Sequence, residues 1–311
     1  MVTVRPSLAA AVRRRAGLLA VSGGALLWGT TGVPVAIIHE RTGLSAVPIG
    51  CLRLVIAALA VATLSGRRGW QRARALVARH RWWLVAAGAG LGSYQALYFL
   101  GVQYVGVTVS TLVSLAVAPI ALTAWGAIVR RTLPGVFALL TLAAAIGGLV
   151  LVSLRPGSAA DGAHPLLGLV ASLAAGLGYA ASTLVNHRIA GDGDAVLLTG
   201  VTSGIGAVVL VPFAAITGLW WPADAIASGW LVYIGIVTTV AAYGLFFLGL
   251  QSTTSETAGV LTLLEPLAAA VLAAIVLHER LTAPGVVGAA LMLVAIAGLY
   301  ARVPEPDASP R

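Results

Sequence analysis

The stretch LYFLGVQ at Leu97–Gln103 returns as LFFLGLQ at Leu245–Gln251, so that five of seven positions are identical 148 residues apart. The landmarks that follow keep the same order at nearly the same offset: Pro119 with Pro266, and Pro134-Gly135-Val136 with Pro284-Gly285-Val286. Matching landmarks in a constant order indicate a duplicated structural unit. The chain is therefore predicted to consist of two related halves.

The boundary between the halves lies at the midpoint of the chain, in the stretch RPGSAADGAHP from Arg155 to Pro165. A cluster of proline, glycine and small polar residues marks a linker. The first repeat is predicted to cover residues 1–156 and the second residues 165–304, with a cytoplasmic tail at 305–311. We expect the two repeats to form one integrated transmembrane domain.

The composition indicates an integral membrane protein. Of 311 residues, 59% are hydrophobic and only 9% are charged, and the mean hydropathy is +0.98. Soluble domains carry about 25% charged residues. A single soluble core does not need this much apolar surface, whereas a lipid environment does.

Ten stretches have the length of about 20 mostly apolar residues that a membrane-spanning helix needs. These stretches are 17–38, 46–65, 82–102, 107–129, 134–154, 166–186, 195–217, 229–250, 256–277 and 283–301. Each half then holds five spans, and an odd number forces the second copy to cross the membrane in the opposite sense. The predicted fold is all-α, with ten transmembrane helices in two inverted five-helix repeats around a central cavity.

The arginine residues predict the orientation of the chain in the cell (inner or plasma) membrane. All 19 basic residues are arginine, because the sequence contains no lysine. Fifteen of them fall in segments that are cytoplasmic if the N-terminus is cytoplasmic, three fall in outer loops, and Arg53 lies within a span. This asymmetry follows the positive-inside rule and places both termini in the cytoplasm. The net charge of +9 is therefore attributed to membrane topology and not to nucleic-acid binding.

Several kinds of chemistry lack the residues that they need. Without lysine there is no P-loop lysine and no Schiff base. Cys51 is the single cysteine, and the five histidines fall at span ends or in loops without metal-ligand spacing. We therefore expect no metal, no cofactor and no enzymatic activity.

Two charged residues lie inside predicted spans, Arg53 and Glu265. A charge at the centre of a bilayer costs about 2.5–3.5 kcal/mol on insertion scales, so each is a functional candidate. Glu265 precedes Pro266, which opens the backbone, and it could bind a cation, a substrate amine or a coupling proton. The alternative is a structural glutamate, protonated or paired with arginine. Arg53 could extend to the membrane surface, pair with Glu265 or hold a substrate carboxylate.

Polar and aromatic residues at helical spacing mark the predicted faces of the cavity. They are Trp28 and Thr31 in the first span, Tyr94 and Tyr98 in the third, Tyr179, Ser182 and Asn186 in the sixth, and Thr239 and Tyr243 in the eighth. Aromatic rings with hydroxyl groups suit amphipathic ligands and can face a cation. The alternative is that these side chains bond neighbouring helices.

Several motifs are distributed over nearly the whole chain: Trp28-Gly29, Arg53, the two repeated segments, Leu264-Glu265-Pro266, His278-Glu279-Arg280-Leu281-Thr282 and Pro284-Gly285. Together they resemble the EamA type of the drug/metabolite transporter superfamily. The resemblance implies a ten-helix bundle with a cavity that opens alternately to each side of the membrane. It also implies substrates such as amino acids, their derivatives, other small metabolites or drugs.

The resulting hypothesis is a secondary transporter that exports a small metabolite by alternating access, with protons as candidate coupling ions. No ATP-binding motif accompanies the inverted repeats and the intramembrane Glu-Pro pair, so the energy is expected to come from a gradient. The alternatives are an uptake permease, a membrane-embedded enzyme and a channel. The sequence leaves the substrate and the oligomeric state open.

Overall fold

The computed structural model describes residues 8–153, 164–191, 193–276 and 282–302, and these residues form helices joined by short turns. The helices are α1 (Leu8–Gly29), α2 (Gly32–Thr42), α3 (Ala46–Leu64), α4 (Gly66–Arg130), α5 (Val136–Ser153), α6 (Pro165–Ala190), α7 (Ala195–Ile216), α8 (Ala225–Gly235), α9 (Ala242–Leu250), α10 (Ser255–Leu261), α11 (Leu264–Val276) and α12 (Ala283–Ala301). A π-helical segment, Ile236–Ala241, joins α8 to α9. The predicted linker, the motif from His278 to Leu281 and the C-terminal tail lie largely or wholly outside the described residues.

Nine helical stretches in this part of the chain are long and apolar enough to cross a membrane. In three of these stretches, two consecutive helices together correspond to one span predicted from the sequence: α1 with α2, α8 with α9, and α10 with α11. The helices of the described residues therefore agree with the multi-pass architecture predicted from composition.

Helix α4 differs most from the prediction. Its 65 residues would extend about 98 Å as an unbroken helix, against about 30 Å for the hydrocarbon core of a bilayer. It departs from helical geometry at His80 (φ −125°, ψ 23°) and at Gly106 (φ 78°, ψ 163°). The third and fourth predicted spans lie on either side of Gly106, where glycine tolerates the positive φ. The arginine-rich segment before His80, which lies between the second and third predicted spans, is helical.

Glycines bring the helices into close contact. A methyl group on Gly148 of α5 would lie 2.5 Å from the carbonyl oxygen of Gly288 of α12, and one on Gly288 would lie 2.5 Å from that of Gly148. Gly17 of α1 and Gly249 of α9 approach each other in the same reciprocal way. Helices in a membrane associate largely through such van der Waals packing, because lipid offers no hydrophobic driving force between them.

The two repeated segments lie at opposite ends of the bundle. Gly101 in the first segment packs near Gly168, at the start of α6. Gln251 in the second segment donates a hydrogen bond from Nε2 to the carbonyl oxygen of Ala190, the last residue of α6, at 2.9 Å. Helix α6 has 26 residues and so extends about 39 Å, which separates the two segments by the depth of a membrane.

Ion pairs join helix ends at the two sides of the bundle. Arg41 of α2 contacts both carboxylate oxygens of Asp224, which also caps α8 by accepting from the Ala227 amide at 2.7 Å. These bonds lower the pKa of Asp224 to about 2, so its carboxylate stays ionised at neutral pH. At the other side, Arg130 at the end of α4 contacts Glu256 of α10 at 2.8 Å.

Candidate functional site

A cavity of about 840 Å³ lies between α1, α2, α3, α4, α5, α6, α9 and α11. We call it the main cavity. Its volume falls within the range of about 300–1,000 Å³ that is typical of small-molecule sites. It reaches one end of the bundle, where residues at helix ends line it: His39, Ser45, Val107, Thr108, Val152 and Ser153.

Most of the residues predicted for the site lie on this cavity. Those that line it are Trp28, Thr31, Arg53, Tyr94, Tyr98, Tyr179, Tyr243 and Glu265. Ser182 and Asn186 instead line a second pocket of about 10 Å³, which we call the small pocket. Thr239 lines neither of them. It is fully buried, and the π-helical segment directs its hydroxyl group back to the carbonyl oxygen of Ile234 at 2.8 Å, which corrects its assignment to the cavity face.

Four polar atoms on residues of the main cavity are buried and have no hydrogen-bond partner among the described residues. They are Trp28 Nε1, Thr31 Oγ1, Ser45 Oγ and Gln95 Nε2. Leaving a buried polar group unsatisfied costs about 1–3 kcal/mol, and native proteins rarely do so without a reason. These four atoms are buried in the wall of the main cavity, so they mark polar groups that the described residues leave unsatisfied beside it.

Arg53 is held against the cavity wall by Gln95. One guanidinium nitrogen of Arg53 donates to Oε1 of Gln95 at 3.0 Å, and Gln95 is buried. Gly50 makes room for this amide, because a methyl group there would lie 3.0 Å from the same oxygen. Arg53 and Glu265 form no ion pair within 4 Å. The guanidinium therefore retains donors that can hold a carboxylate.

Glu265 lies in the first turn of α11, after a break in the predicted ninth span at Thr262 and Leu263. The sequence suggested a proline kink in the middle of a helix. Instead, Pro266 occupies the first turn of α11, where a proline costs no helical hydrogen bond. A carboxylate at a helix N-terminus is stabilised by the helix dipole, and discontinuous helices of this kind form ion and substrate sites in transporters.

Three tyrosines line both the main cavity and the small pocket and so separate them. We call Tyr94, Tyr179 and Tyr243 the tyrosine partition. The rings of Tyr94 and Tyr179 have centroids 5.3 Å apart, and Tyr243 contacts the ring of Trp28 at 4.7 Å. Beyond the partition, the buried Oδ1 atom of Asn186 has no partner among the described residues.

Sequence reasoning missed Gln95 and Ser45. Gln95 lies inside the third predicted span, next to Tyr94, and an amide at that depth is costly for the same reason as a charge. Applying that criterion to uncharged polar residues would have found it. Ser45 precedes α3 in a turn, where the sequence carries no signal that the residue lines a cavity.

The sequence comparisons find transporters. A model of the EamA-like transporter family matches residues 166–301. The chain is 30% identical over 276 residues to the uncharacterized transporter YwfM of Bacillus subtilis, covering 88% of this chain and 89% of that protein. It is 27% identical over 286 residues to the uncharacterized inner membrane transporter YicL of Salmonella typhimurium, covering 91% and 94%.

One solved structure has the same overall arrangement. This crystal structure aligns with a TM-score of 0.72 over 93% of this chain and 99% of its own chain. Its sequence is 18% identical, so the match shows the fold alone.

Proposed function

The chain belongs to the EamA-like transporter family, and we propose that it is a secondary transporter that exports an amino acid, a similar small metabolite or a drug by alternating access. The family membership confirms the resemblance to drug/metabolite transporters found in the sequence. It identifies a multi-pass membrane transporter of a small molecule.

The proposed architecture has ten spans in two inverted repeats, with both termini in the cytoplasm. Dividing α4 at Gly106 raises the nine membrane-crossing stretches of the described chain to ten. The glycine contacts support the inversion. Gly17 packs on Gly249, and Gly168 packs near Gly101, so the first helix of each half meets the repeated segment of the other. The corresponding residues are 151 and 148 positions apart.

The observation that carries the substrate proposal is that Arg53 and Glu265 line the same cavity without pairing to each other. A zwitterion satisfies both charges. Its carboxylate would take the remaining guanidinium donors of Arg53, and its ammonium group would face Glu265. Tyr98 and Trp28 add aromatic surface for the rest of the molecule, which favours amino acids and similar compounds.

Alternating access is supported by the unequal sizes of the main cavity and the small pocket. The main cavity extends to the end of the bundle where α2 and α5 end, which the arginine distribution assigns to the outer face. The tyrosine partition closes it from the small pocket on the other side. We propose that this arrangement is the outward-open state and that the inner path runs past Ser182 and Asn186 when the partition opens.

Glu265 is the proposed proton-coupling residue. Within the described chain it has no arginine partner, so its carboxylate can bind either the substrate ammonium group or a proton. Because one group cannot hold both at once, proton binding from outside would drive release of the exported substrate. The Glu265 carboxylate is therefore expected to be essential for transport.

The test is a metabolite profile of spent medium from cells that express the protein, beside cells that express Glu265→Gln. We expect one class of zwitterionic compounds to accumulate outside with the intact protein and to fall to background with Glu265→Gln. Glu40→Gln is the matched control, because Glu40 is exposed and lies outside the cavity lining. It should export normally.

Two results would contradict the proposal. Depletion of a compound from the medium would indicate uptake in place of export. Equal accumulation with the intact protein and Glu265→Gln, at equal amounts in the membrane, would remove Glu265 from the mechanism.

A further inference from the structure

The first part of α4, residues 66–79, is a separate helix on the side of the bundle assigned to the cytoplasm. We call it the arginine helix. It follows α3 without a loop, through Ser65 and through Gly66 at φ 59°, and it ends at the irregular His80. Its 14 residues extend about 21 Å.

One face of the arginine helix packs on the protein. Gly69 and Leu76 are buried, and both approach the region where α7 begins. A methyl group on Gly193 would lie 3.1 Å from Leu76 Cδ1, and one on Gly69 would lie 3.9 Å from Leu197 Cδ2. The helix is therefore fixed in orientation, and its other faces point away from the bundle.

Cationic and apolar side chains alternate along one exposed face of the helix. Arg67, Trp70, Arg74 and Val77 follow each other at steps of three or four residues and so form one stripe. Trp70 is 53% exposed and Val77 41%. The indole nitrogen of Trp70 donates to the carbonyl oxygen of Ala62, in the last turn of α3, at 2.9 Å. The stripe is thereby anchored at the level where a membrane span ends.

Four arginines of this helix have no ion-pair partner within the described chain. Arg67, Arg68, Arg72 and Arg74 are all exposed, and none forms an ion pair or a hydrogen bond with a described residue. The sequence has no acidic residue between Glu40 and Asp161. These four guanidinium groups therefore remain available at the exposed surface to bind an anion.

Neighbouring residues extend the same combination of arginine and tryptophan. The guanidinium of Arg81 lies 5.3 Å from the centre of the Trp82 ring, and that of Arg188 lies 5.0 Å from the Trp83 ring. Trp82 is 72% exposed. Tryptophan is enriched at the boundary between lipid and water, so the surface suits the headgroup region of a bilayer.

We propose that the arginine helix binds the headgroups of anionic phospholipids in the cytoplasmic leaflet, with Arg67 and Arg74 holding phosphate groups on either side of Trp70. Guanidinium groups bind phosphate through two parallel hydrogen bonds. The apolar members of the stripe decide between possible partners. A dissolved anion or a nucleic acid leaves Trp70 and Val77 in water, whereas a lipid brings acyl chains to them.

The experiment uses the full chain in mild detergent and measures tryptophan fluorescence during titration with brominated lipids. Brominated phosphatidylglycerol is compared with brominated phosphatidylcholine, and subtracting the Trp70→Phe signal isolates Trp70. We expect phosphatidylglycerol to quench Trp70 at lower concentrations than phosphatidylcholine. Arg67→Gln/Arg74→Gln should reduce this preference about 10- to 30-fold, since each arginine near an anionic surface raises the affinity for that surface about fivefold.

Arg13→Gln/Arg14→Gln is the matched control. It removes the same charge from exposed positions near the start of α1, on the side assigned to the cytoplasm, and it should keep the preference. Equal quenching by both lipids in the intact protein would overturn the proposal. An equal loss in the two double variants would also overturn it, because net charge and not this helix would then determine binding.

Discussion

The amide of Gln95 holds Arg53 at the cavity wall. Its oxygen accepts from Arg53 at 3.0 Å, whereas its nitrogen has no partner among the described residues. It therefore positions the guanidinium at the cavity wall. In the proposed mechanism, a substrate carboxylate meets the guanidinium that Gln95 holds.

Replacing Gln95 with glutamate tests this arrangement without changing the shape of the side chain. The new carboxylate would pair with Arg53 permanently and compete with the substrate carboxylate. We expect transport efficiency to fall about tenfold or more, the value of a hydrogen bond to a charged group. The measurement is uptake of the exported compound into inside-out vesicles.

The matched control for this test is Gln103→Glu, which adds the same charge at an exposed position of the same helix. Its transport should equal that of the intact protein. If Gln95→Glu retains full transport, Arg53 does not hold a carboxylate.

Among single residues, charge was the most informative signal in the sequence. Arg53 and Glu265 are costly inside a membrane, and both line the main cavity. The absence of an ion pair between these two side chains was not predictable, because the distance between two helices depends on packing that no local pattern encodes. Thr239 was assigned to the cavity face because a spacing of four residues places it beside Tyr243 on a regular α-helix. The π-helical segment changes the angle between these two residues, so the prediction from spacing fails there.

At the scale of helices, the two glycines in α5 provide a matched pair. Gly148 faces the backbone of α12, whereas nothing lies within 4 Å of a methyl group on Gly147. We expect Gly148→Leu to destabilise the protein by about 1–3 kcal/mol or more, since overpacking forces backbone shifts. Gly147→Leu should be nearly neutral. Thermal unfolding of both variants in the same detergent measures the difference.

Equal unfolding temperatures for these two variants would mean that α5 and α12 do not pack through Gly148. A loss confined to Gly147→Leu would reverse the assigned face of α5.

Helix positions were predictable from apolar length, but helix junctions were not. The predicted spans fall on helices throughout the described chain. However, the junction at Gly106 is a single residue with positive φ, and α10 and α11 are separated by two residues. Such short breaks leave the hydrophobic pattern unchanged. The arginine helix falls outside the ten predicted spans because its apolar stripe is narrow and its charge dominates the composition.

At the scale of the whole molecule, the repeated segments connect sequence and structure. Leu97–Gln103 and Leu245–Gln251 are similar in sequence and lie at opposite ends of α6. The similarity of the two segments was readable from the sequence, which also predicted a central cavity, whereas the closure of that cavity on one side was not predictable. The closure depends on how the tyrosine partition brings α4, α6 and α9 together.

The most direct test of the proposed transport path is labelling of single cysteines with a membrane-impermeant thiol reagent in a Cys51→Ser background. Thr31→Cys probes the main cavity and Ser182→Cys probes the small pocket. The control is Leu177→Cys, which lies on the same helix as Ser182 but on the outer surface of the bundle, where the proposed architecture places lipid. We predict that Thr31→Cys reacts in intact cells, that Ser182→Cys reacts in inside-out vesicles, and that Leu177→Cys reacts in neither. Reaction of Thr31→Cys and Ser182→Cys from the same side only, or reaction of Ser182→Cys no faster than Leu177→Cys, would contradict a path that opens alternately across the tyrosine partition.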